Sequence, residues 1–132
     1  MLLAIDIGGT FIKWAVSQEY SLTDARGKVP TPQDSFDSLV EAIAQIAEAI
    51  PEQVEGVAVS LPGTVDAATG LIVQGGALQY ANGHNLVDAL RDRLNLPSYM
   101  QLLPGLLLIR QVLFPCFSAR QLLNFFLSSA LF

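Results

Sequence analysis

The chain has 132 residues, of which 52% are hydrophobic and 14% are charged, which suits one domain with a buried core and is too short for two. Its net charge of -5 at pH 7, without any run of lysine or arginine, argues against a nucleic-acid partner. The single cysteine, Cys116, cannot form an internal disulfide, and the first residues lack the basic segment of a signal peptide. We therefore expect a cytoplasmic location.

A β-hairpin is predicted at the start of the chain. Residues 2–7 and 11–17 are short apolar segments, and the Gly8-Gly9 link between them tolerates positive φ, which is typical of a tight hairpin. A third strand around residues 28–29, after a turn at residues 24–27, would complete an antiparallel meander.

A helix is predicted from Phe36 to Ile50, where apolar residues recur at steps of three and four. Asp34 or Ser35 can accept hydrogen bonds from the free amides of its first turn, and Pro51 would end it. This periodicity places one apolar face against a core.

A buried strand and a second helix are predicted further along the chain. Residues 55–60 form a short β-branched segment that is followed by the turn-forming pair Pro62-Gly63. Residues 85–94 have the apolar spacing of a helix, and Asn85 is a suitable cap.

The turn of the predicted hairpin carries polar groups that suit phosphate. Gly8 and Gly9 leave backbone N–H groups uncovered by any Cβ, and the Thr10 hydroxyl adds another donor. Asp6, at the end of the first strand, can hold Mg²⁺ directly or through water, and Lys13 adds a positive charge. This combination favours a nucleotide phosphate site. The alternative is a plain tight hairpin in which Asp6 only caps the turn.

The sequence of this turn resembles the first phosphate motif of the ROK sugar-kinase family, within the actin-like ATPase superfamily. The family motif is Asp-x-Gly-Gly-Thr-x-x-Lys, and here it stands as Asp6-Ile7-Gly8-Gly9-Thr10-Phe11-Ile12-Lys13. Residues 56–72 are similar to the family's strand followed by Ser-x-Pro-Gly-x-Val-Asp. Residues 75–97 are similar to its sugar-side loop and following helix. The Gly-Gly-Ala-Leu stretch within them resembles the glucokinase and β-glucoside kinase branch.

The resemblance implies the N-terminal lobe of an actin-like ATPase, an α/β fold of the ribonuclease H type whose mixed sheet begins with an antiparallel hairpin and is flanked by helices. The implied activity is ATP-dependent phosphorylation of a hexose or related sugar, with ATP and Mg²⁺ as cofactors. The residues that match the family's nucleotide side are Asp6, Gly8, Gly9, Thr10 and Lys13, with Asp6 as the Mg²⁺ ligand. The residues that match its sugar side are Ser60, Pro62, Gly63, Gly75 and Gly76. For Pro62 and Gly63, a simple turn is the alternative.

The chain departs from the family after residue 97. ROK kinases continue with a strand and then Glu-Asn-Asp, whose Asp is the general base, whereas here Ser98-Tyr99-Met100-Gln101-Leu102-Leu103 follows. No acidic residue comes after Asp92, and the family's Glu-x-x-His, zinc motif and second lobe are not found. We therefore expect residues 1–97 to form the lobe and residues 98–132 a hydrophobic tail unlike the family. We assign no catalytic residue.

Two explanations of the tail remain open: a frameshift near residue 98, or a natural short homologue whose tail packs over the open face of the sheet. An ordered tail would turn four residues inward at helical spacing, namely Leu102, Leu106, Ile109 and Leu113. Prolines and arginines interrupt the tail, so we expect no membrane anchor. We expect His84 to be an exposed loop residue and Cys116 a buried thiol, not a zinc ligand.

Three functional interpretations follow from this departure. The first is a sugar kinase that is catalytically incomplete. The second is a non-catalytic sugar-binding or regulatory fragment, although a helix-turn-helix before the hairpin, which DNA-binding family members carry, is not found here. The third is self-association through the apolar tail, which would otherwise expose a large hydrophobic patch.

Overall fold

The computed structural model describes residues 1–18, 21–66 and 68–101. The expectations for the tail, including its four inward-facing residues, its self-association and Cys116, lie outside these residues. The elements are β1 (Leu2–Ile7), β2 (Phe11–Gln18), β3 (Ser21–Pro30), α1 (Phe36–Ala49), β4 (Gly56–Ser60), β5 (Thr64–Asp66), β6 (Leu71–Gln74), a single 3₁₀ turn (Gln79–Ala81), α2 (Leu86–Leu94) and β7 (Ser98–Gln101). No helix in the described ranges is long and apolar enough to cross a membrane.

A five-stranded mixed sheet organises the domain, with the strand order β3-β2-β1-β4-β7. The first three strands form an antiparallel meander, and β4 then pairs in parallel with both β1 and β7. The predicted α/β class and the hairpin at the start of a mixed sheet are therefore confirmed. Strand β7 runs to Gln101, four residues beyond the lobe boundary expected from the sequence.

The hydrophobic core lies on one face of this sheet. Leu3, Ile5 and Ile7 alternate along β1 and are at most 1% exposed, and they belong to the same cluster as the buried face of α1. Leu86 and Leu90 of α2 join this cluster. The intervening residues of the central strands are small or polar and lie on the opposite face, because successive side chains of a strand alternate.

Local capping fixes both helices as the sequence predicts. Ser35 is the N-cap of α1, because its Oγ accepts a hydrogen bond of 3.2 Å from the Ser38 amide. Asp34 supports this cap indirectly, since its carboxylate accepts a 2.7 Å hydrogen bond from the Ser38 hydroxyl. Asn85 caps α2 by accepting from the Asp88 amide at 2.9 Å.

Replacing Ser35 with alanine is expected to lower the free energy of unfolding by about 1 kcal/mol, because an amide of the first helical turn loses its acceptor. Urea denaturation of the full chain measures the change. Ser35→Thr keeps the hydroxyl and should retain most of the stability, so an equal loss in both variants would contradict the capping role.

The predicted turn at residues 24–27 is wrong, because these residues lie within β3. Gly27 sits opposite Trp14 of β2, and a Cβ on Gly27 would lie 2.9 Å from Cζ2 of the indole. The glycine therefore makes room for a cross-strand tryptophan and does not form a turn. His84 is exposed as expected, and its ring also stacks on Phe36 with 4.3 Å between ring centroids.

Candidate functional site

The tip of the β1–β2 hairpin is a tight turn with two available amides. The Gly8 amide donates to the Phe11 carbonyl at 2.9 Å, and a Cβ on Gly8 would lie 2.9 Å from that same oxygen. The amides of Gly9 and Thr10 donate to no acceptor within the described residues. Gly9 is half-buried and Thr10 is exposed, so the two N–H groups can be reached by a ligand.

The glycines of this tip act through their missing side chains. Neither Gly8 nor Gly9 has a positive φ, and the link between β1 and β2 has three residues, Gly8 to Thr10. The expectation of a two-residue turn with positive φ is therefore wrong. What the geometry requires is the close approach of the Gly8 amide to the Phe11 carbonyl, which a side chain on Gly8 would obstruct.

Three hydrogen bonds orient the carbonyls of the tip. The Thr31 hydroxyl donates to the Gly8 carbonyl at 2.8 Å, and the side-chain amide of Gln33 donates to the Gly9 carbonyl at 2.8 Å. The Thr31 amide donates to the Thr10 carbonyl at 2.9 Å. In a planar trans peptide the carbonyl and the next N–H point in opposite directions. Holding the Gly8 and Gly9 carbonyls on one side therefore turns the Gly9 and Thr10 amides to the other.

Polar side chains form a row beside the tip. Asp6 of β1 pairs in register with Lys13 of β2 and with Ser60 of β4, and residues paired across neighbouring strands share a face of the sheet. Asp6 and Lys13 are half-buried and carry opposite charges. The row thus places a carboxylate, an ammonium group and a hydroxyl on the face opposite the core.

The Ser60 hydroxyl is the exceptional member of this row. The residue is 2% exposed, and its Oγ has no hydrogen-bond partner in the described part of the chain. A buried hydroxyl without a partner costs about 1–3 kcal/mol. Such an atom in a native fold calls for a physical explanation, and a ligand hydroxyl or an ordered water would supply its missing partner.

The predicted sugar-side residues come together as a backbone-lined wall. Gly63 has φ +116, and a Cβ there would lie 2.0 Å from the Gln74 carbonyl oxygen. Gly76 has φ +60, and its Cβ would lie 3.3 Å from the Pro62 carbonyl oxygen. The segments at residues 62–63 and 74–76 therefore pack backbone against backbone, at the end of β4 that carries Ser60.

Asn82 organises the same loop, and sequence reasoning missed it. Its side-chain oxygen accepts a 2.7 Å hydrogen bond from the Gly75 amide, and Gly75 is buried. Gly75 therefore shapes the wall, while its amide is already occupied. Sequence reasoning also missed Thr31 and Gln33. Like Asn82, each bonds through its side chain to the backbone of a residue that is not adjacent in sequence, and such a contact leaves no pattern in the sequence.

Comparison with known proteins identifies the family of this site. The model of the ROK family matches residues 2–102, most of the chain. The chain belongs to the ROK family. Among curated ROK relatives, a β-glucoside kinase from Listeria innocua serovar 6a is 36% identical over 99 residues, which cover 73% of this chain and 32% of the relative. The chain therefore spans about a third of the length of such relatives.

Solved ROK structures share the fold. A glucokinase from Streptomyces griseus, in complex with glucose and AMPPNP, aligns with a TM-score of 0.69 and 25% identity over 76% of this chain and 32% of that chain. A ROK family protein from Streptococcus pneumoniae TIGR4, in complex with sucrose, aligns with a TM-score of 0.67 and 27% identity over 85% of this chain and 37% of that chain. The resemblance to the ROK family that the motifs indicate is confirmed.

Proposed function

We propose that this chain supplies the nucleotide-phosphate side and part of the sugar side of an ATP-dependent hexose kinase. The observation that carries the proposal is the hairpin tip, where two amides are turned outward beside Asp6 and Lys13. The β-glucoside kinase and glucokinase relatives support the same reaction class. The sugar is a hexose or a β-glucoside by this similarity.

The residues at the tip fit a phosphate chain. The Gly9 and Thr10 amides and the Thr10 hydroxyl would donate to phosphate oxygens, and Gly9 has no Cβ that would obstruct a close approach. Lys13 would add positive charge from the adjacent strand. Bound Mg²⁺ neutralises phosphate charge in this type of reaction. The described residues contain no cluster of three or more potential metal ligands, so Asp6 would hold the ion together with phosphate and water oxygens.

The residues around Ser60 fit a polyhydroxylated ligand. The unpartnered Ser60 Oγ can both donate to and accept from a sugar hydroxyl. The backbone wall at Pro62, Gly63, Gly75 and Gly76 would limit the space beside it. A sugar hydroxyl that bonds to the Ser60 Oγ would remove the free-energy cost of leaving this buried group unpaired, and sugar binding would be more favourable for that reason.

We also propose that these 132 residues bind ligands without transferring the phosphoryl group. The family's general base follows the strand that corresponds to β7, and no acidic residue follows Asp92 in this sequence. General-base catalysis needs a group within hydrogen-bond reach of the sugar hydroxyl. We place the chain in the cytoplasm, where a lone thiol such as Cys116 stays reduced.

Isothermal titration of the full chain with Mg·AMPPNP tests the nucleotide site. Asp6→Asn is expected to weaken binding by about tenfold to a hundredfold, because the carboxylate that holds the ion is lost. Asp92→Asn makes the same charge change at an exposed position of α2 and should leave the affinity unchanged. Equal weakening in both variants would indicate a general charge effect instead of a site.

A coupled phosphorylation assay with glucose and a β-glucoside tests the incompleteness of the chain. We expect no turnover above background, and clear turnover would show that another group acts as the base. Sugar binding without any nucleotide binding would favour the alternative, a non-catalytic sugar-binding fragment, which the unpartnered Ser60 hydroxyl by itself also supports.

A further inference from the structure

A short segment joins the two halves of the candidate site. Residues 31–33, here called the bridge segment, follow β3 and lie between the hairpin tip and the loop at residues 75–82. On one side, the bridge segment makes the three hydrogen bonds to the carbonyls of Gly8, Gly9 and Thr10. Two of these bonds come from the side chains of Thr31 and Gln33 and join residues 23 and 24 positions apart in sequence, and the third comes from the Thr31 backbone amide.

The other side of the bridge segment is held by Tyr80. The Tyr80 hydroxyl donates to the Pro32 carbonyl at 2.5 Å. Tyr80 lies in the 3₁₀ turn Gln79–Ala81, which is part of the loop at residues 75–82, here called the sugar-side loop. Burial, and then the negative charge of Asp34, raise the pKa of Tyr80 above its usual value. The hydroxyl therefore keeps its proton and remains a donor across the neutral pH range.

The sugar-side loop also touches the tip directly. A Cβ on Gly9 would lie 3.1 Å from the Cβ of Ala77, so Gly9 and Ala77 are in close packing. These contacts connect the three segments in a ring. The tip contacts the bridge segment, the bridge segment contacts Tyr80, and the sugar-side loop that contains Tyr80 contacts the tip through Ala77. A shift of the sugar-side loop would therefore move the tip in two ways, through the bridge segment and through the direct contact of Ala77 with Gly9.

We infer that the bridge segment and Tyr80 couple the sugar side to the phosphate side, so that occupation of one changes the affinity of the other. Thr31, Gln33 and Tyr80 are positioning residues in this scheme, since each acts on the tip through backbone carbonyls. The inference rests on the proposed function for its ligands. Because coupling between two binding sites is reciprocal, sugar should raise nucleotide affinity by the factor by which nucleotide raises sugar affinity.

Amide exchange of the ligand-free full chain, followed by NMR, tests the physical link without any ligand. Thr31→Val removes the hydroxyl at nearly constant volume and should speed exchange of the Gly8 amide, which is hydrogen-bonded to the Phe11 carbonyl within the tip, by about fivefold, the effect of one lost hydrogen bond. Thr31→Ser should restore slow exchange. Tyr80→Phe should also speed exchange of the Gly8 amide, although the hydroxyl that it removes lies on the other side of the bridge segment.

A matched control separates coupling from general destabilisation. Thr23 of β3 also donates through its hydroxyl to a backbone carbonyl, that of Val16, at 3.0 Å, and accepts from the Ala25 amide at 3.2 Å, so Thr23→Val loses at least as much hydrogen bonding away from the site. This variant should leave exchange at the tip unchanged. If Tyr80→Phe also leaves tip exchange unchanged and lowers only the melting temperature, the coupling is overturned.

Titration with Mg·AMPPNP, with and without saturating glucose, then measures the coupling itself. In the unaltered chain we expect glucose to raise nucleotide affinity by about fivefold or more, and in Tyr80→Phe we expect most of that factor to disappear. An equal factor in both proteins would contradict the inference. If the unaltered chain binds no nucleotide, the proposed function fails, whereas the exchange measurements still decide whether the bridge segment links loop and tip.

Discussion

Gly63→Ala is expected to destabilise the chain by about 3 kcal/mol or more, the largest effect at any glycine of the site. The φ of +116 is a conformation that residues with a Cβ rarely adopt, and the added Cβ would lie 2.0 Å from the Gln74 carbonyl oxygen. Backbone occupies that space, so no side-chain rotation can relieve the contact. Urea denaturation measures the loss, and titration with glucose should show that sugar binding is weakened as well.

Gly83→Ala is the matched control for that prediction. Gly83 also has a positive φ, +77, but nothing lies within 4 Å of the position its Cβ would take. Only the conformational penalty applies, which is about 1 kcal/mol. Similar losses in the two variants would mean that the contact with Gln74 relaxes freely, and that the wall beside Ser60 is not rigid.

Local sequence signals predicted the elements whose stability is local. Helix α1 was placed within one residue of its observed end, because its apolar period and its Ser35 cap involve residues close together in the chain. The hairpin partners β1 and β2 were found for the same reason. The parallel pairing of β4 with β1 was not predicted, because a strand's own sequence does not identify its partner across a long connection.

Two features of the fold were missed, for different reasons. Gly27 looked like a turn residue, yet its role is set by Trp14 on the adjacent strand. The β5–β6 hairpin was not predicted, because its strands have three and four residues, too few for alternation to stand out. The deciding contact of Gly27 is therefore made by a residue outside the local pattern, whereas the β5–β6 strands are too short to show a pattern.

Some residues of the candidate site were predicted from the sequence and others were missed. The motif placed Asp6, the two glycines and Lys13 at one end of the sheet, and the structure brings Ser60 into register beside them. Thr31 and Tyr80 escaped prediction because they act on backbone carbonyls 23 and 48 residues away. A threonine or tyrosine that donates to a distant carbonyl has no sequence signature beyond its own identity.

Ile43→Ala is expected to lower the free energy of unfolding by about 3 kcal/mol, within the usual 2–5 kcal/mol range for truncating a buried isoleucine. Ile43 is fully buried in the core cluster that α1 shares with the central strands, so the truncation both removes apolar contact and leaves a cavity.

Ile43→Val should cost about 1 kcal/mol, and Gln45→Ala, on the exposed side of α1, should stay within about 0.5 kcal/mol. Because domains of this size are stable by only about 5–15 kcal/mol, the Ile43→Ala chain should unfold at a clearly lower urea concentration. A midpoint equal to that of Gln45→Ala would show that α1 does not pack on the sheet as described, and the bridge segment that leads into α1 would then lack its anchor.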